Sequence, residues 1–186
     1  MESTEHPLSA VAASTALSEA EATRARLAEQ ISTPSWFFTS IGAAIAVQIA
    51  SLSVGVGAVS PATLAALVAG VLVLAAVGVV QLARFRRVNG LWLSGFLSRV
   101  VLGTGALASA SYGLASVAAI LAAFEAQWWL VAIWSMLGGA AYAFSGRRWL
   151  RVYRAEPARH AHESTLGLAA MTVAALAALA LLLIFR

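Results

Sequence analysis

Few side chains in this sequence could do chemistry, and they are scattered. His160, His162 and Glu163 offer two imidazoles and a carboxylate, a donor set that a divalent metal accepts. Alternate residues point apart on a helix, however, and the stretch follows Pro157 in a basic loop, so solvated loop residues are the better reading. Glu125 stands beside Gln127, Trp128 and Trp129, where a carboxylate could meet a cation or a partner; a wetted carboxylate at a hairpin tip accounts for it as well. Gln48 falls near the middle of an apolar run. An amide there could touch a substrate, but is more often a hydrogen-bonding contact between helices. Tyr112, Ser116, Tyr142 and Ser145 could line a polar seam between two later runs, with hydrogen bonding between helices again the simpler role.

The absences are as informative. Cys, Lys and Asp are missing altogether, which removes thiolate chemistry, disulfides and a lysine Schiff base. No ionisable residue falls inside an apolar run, where such residues mark proton relays and ion paths. Nucleophile-elbow, zinc-protease and phosphate-loop patterns are absent too. No catalytic, cofactor-binding or metal-binding residue is assigned, and a non-enzymatic role is expected.

The elements that carry these residues follow from hydropathy. With 61% hydrophobic and 11% charged residues and a mean hydropathy of +0.85, the chain is far more apolar than a soluble domain. It reads as an all-α, polytopic membrane protein: a bundle of five transmembrane helices with a cytoplasmic N-terminal helical arm. The arm, residues 1–33, lacks the pattern of a secretory signal and is expected to stay on the mature protein. Ser18 and Glu21 have capping-box spacing, which predicts a short helix from about Ser18 to Ile31. The bundle occupies residues 34–186, with spans near 37–58, 61–83, 100–124, 128–145 and 165–185. Thr33-Pro34 and Ser60-Pro61 read as start signals for the first two spans, and Trp36, Phe37 and Phe38 as an interfacial belt. Asn89-Gly90 reads as a turn, and Trp92, Phe96 and Val100 as one stripe of an interfacial segment leading into the third span.

The net charge of +4 is all arginine over glutamate. Arg84, Arg86, Arg87 and Arg99 fall in one expected loop, Arg147, Arg148, Arg151 and Arg154 in another, both beside apolar spans. That placement points to orientation and to contact with anionic head groups or a partner, and not to nucleic acid. Cytoplasmic loops collect arginine, so both loops are placed inside, the hairpin tips and the C-terminus outside, in a bacterial plasma membrane. In the third span Gly105, Ser109 and Gly113 recur every four residues and predict a helix-packing face, with Ser135, Gly139 and Ala143 of the fourth span or a second copy as its partner.

A polar arm ending in Ser32-Thr33-Pro34-Ser35-Trp36-Phe37, followed by a span ending in ARFRRVNGLWLSG, resembles a group of small, uncharacterised actinobacterial integral membrane proteins. The resemblance covers roughly Ala20 to Gly95 and implies a membrane location but no activity. The favoured function is an accessory or interaction subunit, with membrane lipids, a membrane-protein partner or a second copy as contacts. The alternative is a permease or channel-like carrier for a small neutral or apolar solute, using the Ser/Tyr seam. Because the chain has no cysteine, single cysteines at Ser14, Ser60, Ser94 and Glu125 test the topology with an impermeant maleimide on intact cells. Labelling is expected at positions 60 and 125 only; labelling from outside at position 94 overturns the orientation.

Overall fold

The computed structural model describes residues 7–58, 60–90 and 106–155. Five helices account for nearly all of them: α1 (Pro7–Gln30), α2 (Phe37–Gly57), α3 (Pro61–Asn89), α4 (Ala106–Phe124) and α5 (Trp128–Ala155), with no strand among the described residues. Four of the five, α2 to α5, are long and apolar enough to cross a membrane. The 21 residues of α2, at about 1.5 Å each, match a hydrocarbon core of about 30 Å. The expected fifth span, 165–185, lies outside the described residues, as do the interfacial stripe, Arg99, Gly105 and the His160, His162 and Glu163 group.

Why the helices begin where they do is partly legible and partly not. Ser60 caps α3 as its type suggests: its Oγ accepts from the Thr63 amide at 3.2 Å, the Thr63 hydroxyl accepts from the Ser60 amide at 2.9 Å, and Pro61 takes the first turn. At the other end Gly90, at φ +64, closes α3 by donating its amide to the Arg86 carbonyl, the left-handed residue that glycine accepts without strain. The first two helices start differently from expectation. Helix α1 begins at Pro7, because the alanine-rich stretch up to Ser18 favours helix strongly. Ser18 is therefore mid-helix and its hydroxyl donates back to the Thr15 carbonyl at 2.8 Å, so no capping box forms there. Helix α2 begins at Phe37 and not at Pro34, entered through Trp36 in the left-handed region at φ 65 with no side-chain cap.

The arginine stretches are helical as well. Arg84, Arg86 and Arg87 ride on the last turns of α3, and Arg147, Arg148, Arg151 and Arg154 on the last turns of α5, where loops were expected. Nothing in either stretch stops a helix, and cations suit a helix C-terminus. These two helices, 29 and 28 residues long, therefore run beyond their apolar portions as rigid rods.

Helix α2 is the centre of the bundle. It packs on α3, α5 and α4, and α4 also packs on α5. Its most apolar stretch is 50% buried, against 11% for that of α3. The buried set Phe37, Ile41, Ile45, Ile49 and Ser53 recurs every four residues and forms one face; Phe38, Gly42 and Gln48 widen it. Phe85 of α3 joins it, its ring 6.0 Å from that of Phe37. On the outside, Leu72, Val79, Leu114 and Met136 are each more than 60% exposed, a surface that lipid and not water must cover.

Among the glycines of the described residues, the closest approach of backbone to backbone is between α2 and α5. A Cβ on Gly42 would stand 2.6 Å from the Gly139 carbonyl oxygen, and a Cβ on Gly139 would run into that of Gly42, with Ala143 and Ala46 beside them. A Cβ on Gly113, by contrast, would meet nothing within 4 Å among the described residues. Gly105, the first residue of the packing face expected on α4, lies outside the described residues. The Gly139 and Ala143 side of α5 meets α2, because α2 packs on both helices of the α4–α5 pair as well as on α3. Gly42→Leu should cost about 1–3 kcal/mol and lower the melting temperature in detergent, while Gly113→Leu should stay within about 0.5 kcal/mol. Equal effects from the two substitutions would contradict this arrangement.

Candidate functional site

Two polar regions survive folding: an interior strip and the arginine-bearing end. The strip is built mainly on α2. Gln48 is buried and its Oε1 accepts from the Tyr112 hydroxyl at 2.7 Å, joining α2 to α4. Ser53 returns its hydroxyl to the Ile49 carbonyl and Ser145 to that of Tyr142, the usual way for serine to satisfy itself in a helix. Ser116 and Ser135 are buried on α4 and α5. Of the residues expected to line a seam between α4 and α5, Tyr112 is thus engaged by α2.

Gln81 was missed in the sequence. It is 6% exposed, and its Nε2 donates at 2.6 Å to the Ser40 hydroxyl, which in turn donates to the Phe37 carbonyl at 3.0 Å. Its Oε1 has no partner. The signal was present, a lone amide in the apolar run before Arg84.

At the arginine-bearing end, the linker Ile31–Trp36 is held from two sides. Asn89, on the last turn of α3, takes the Ser32 amide on Oδ1 and gives Nδ2 to the Ser32 carbonyl, both at 2.8 Å. The same Nδ2 also donates to the Phe85 carbonyl at 2.9 Å, which fixes the amide's orientation. From α5, Arg154 donates Nη2 to the Ile31 carbonyl at 2.5 Å, and Arg147 donates Nη2 to Thr39 Oγ1 at 3.0 Å. The ends of α3 and α5 and the root of the arm therefore meet at one end of the bundle.

Helix α1 extends from this joint almost wholly exposed from Ala12 onward, apart from Ala28, which is 2% exposed; Ile31, just past its end, is 4% exposed. Trp36 stands out beside the joint, 76% exposed. The far end carries the Glu125–Gln127 turn. There Gln127 donates its amide to the Ala122 carbonyl and Ala126, at φ 55, donates to that of Ala123, leaving Glu125 exposed with Trp128 and Trp129. Aromatic rings thus mark both ends, as at membrane–water boundaries.

Among the described residues no group of three or more His, Cys, Asp or Glu could hold a metal. The fold and these two regions define a helical, membrane-spanning bundle with a basic, arm-bearing end. No family model, curated protein or solved structure matches the chain. Asn89→Ala should remove both bonds to Ser32 and cost about 1 kcal/mol. Hydrogen exchange at the Ser32 amide and protease cleavage between α1 and α2 should both accelerate; unchanged rates would show that Asn89 does not hold the joint.

Proposed function

We propose that the chain is a non-enzymatic interaction subunit of a bacterial plasma membrane, with its arginine-bearing end and α1 in the cytoplasm and its tight turns outside. The observation that carries this reading is α1 itself. This helix has 24 residues, and among its described side chains from Ala12 onward Ala28 alone is buried, with Ile31 just past its end. Helices in proteins gain most of their stability from packing, so a surface from another protein, or from a second copy of this one, is the natural complement to it. The orientation rests on the excess of arginine at the end where α1 joins. The interior supports the same reading, since Gln48, Tyr112, Gln81 and Ser40 are engaged in bonds that tie helices together.

A carrier for a small neutral solute is the second reading, favoured by buried polar residues on three packed helices, Gln48, Ser116 and Ser135. Purification from native membranes separates the two. A partner that co-purifies in fixed ratio with the full chain, and is lost when residues 1–30 are removed, is the expected result. A pure homo-oligomer that accelerates solute flux in liposomes would replace the subunit reading with the carrier.

A further inference from the structure

The arginines of α5 fall into two sets. Arg147 and Arg154, seven residues apart and so on one face, are turned inward onto Thr39 and the Ile31 carbonyl. Arg148 and Arg151 are not. With Phe144, Val152 and Ala155 they line an open groove of about 500 Å³. Helix α3 repeats the pattern: Val79, Leu82, Ala83, Arg86 and Arg87 line an open groove of about 490 Å³. In each case the residues follow helical spacing on one stripe; on α3 the apolar residues precede the arginine pair, and on α5 Phe144 precedes the pair while Val152 and Ala155 follow it. Both helices pack on α2, which makes the grooves two separate places.

We propose that each groove seats one anionic phospholipid, its phosphate between the paired guanidinium groups and an acyl chain along the apolar part of the stripe. The chemistry of the walls selects this occupant. A guanidinium pair offers forked donors that match phosphate oxygens. A free ion would have no use for Val79, Leu82 or Phe144. These residues continue into the exposed apolar surface of the same helices, where Val79 is 68% and Phe144 56% exposed, so the occupant reaches the phosphate site from the lipid side. The proposal rests on the membrane setting of the arginine-bearing end given above, and divides six of its arginines into two that hold the bundle and four that hold lipid, Arg84 belonging to neither set.

The test uses the full chain in nanodiscs of phosphatidylcholine with a minor fraction of phosphatidylglycerol, released into mild detergent and read by native mass spectrometry. Two retained copies of phosphatidylglycerol are expected. R86Q/R87Q and R148Q/R151Q should each lose one copy, with retention at that seat roughly thirty-fold weaker. R147Q/R154Q should keep both copies while its melting temperature falls. Should a glutamine pair fail to fold, the corresponding lysine pair keeps the charge and should retain lipid less well than the parent chain. The proposal is overturned if the paired variants keep their lipid, if R147Q/R154Q releases it as readily, if phosphatidylcholine is held equally well, or if millimolar inorganic phosphate alone displaces it. Each outcome is read from bound lipid, independently of whether a protein partner co-purifies.

Discussion

Gly42 and Gly139 face each other where α2 crosses α5, so close that neither has room for a Cβ. Helices in lipid gain little from hiding apolar surface from one another, since the acyl chains are as apolar as leucine; they hold together by backbone approach and short polar contacts. The crossing supplies the first and sets up the second. With α2 drawn against α5, its other sides remain for α3 and α4, and Gln48, two turns along from Gly42, comes within reach of Tyr112. Towards the helix start, the same approach brings Thr39 under the Arg147 guanidinium. A single close contact thus aligns bonds at different depths of the bundle.

Where α3 and α5 leave the apolar core, their character changes without their geometry changing. Each stays helical through its arginines, which places the charges on stiff supports at fixed spacing. A flexible loop of the same composition would pay conformational entropy to present two guanidinium groups together; these helices have already done so. The result is an end of the bundle that is both electrostatically distinct and structurally firm. From it α1 extends as a polar helix whose described side chains from Ala12 onward are exposed, Ala28 excepted.

The helical class and the four described spans were legible in the sequence, because uninterrupted apolar runs of this length have few other folds open to them. So was the start of α3, where Ser60 and Pro61 meet local rules that need no tertiary context. The start of α2 was not: Thr33-Pro34 obeys the same local rule, but the linker carrying it is held by Asn89 and Arg154 from elsewhere in the chain. The extent of α3 and α5 was misjudged for a related reason, since arginine signals the end of a span without being a helix breaker. The close packing at Gly42 was not legible because Gly113 and Gly42 look alike in sequence; the packing of α2 against α5 is what crowds Gly42.

The joint between arm and bundle has a consequence for how this protein can vary. Asn89 and Arg154 grip the peptide groups of Ser32 and Ile31, atoms that every residue other than proline supplies alike. The gripped positions can therefore exchange side chains freely so far as these bonds are concerned, while the gripping ones cannot. Drift at the exposed linker positions would leave these bonds intact, and the exposed part of the arm could be rewritten for a new contact so long as the buried Ala28 and Ile31 are kept.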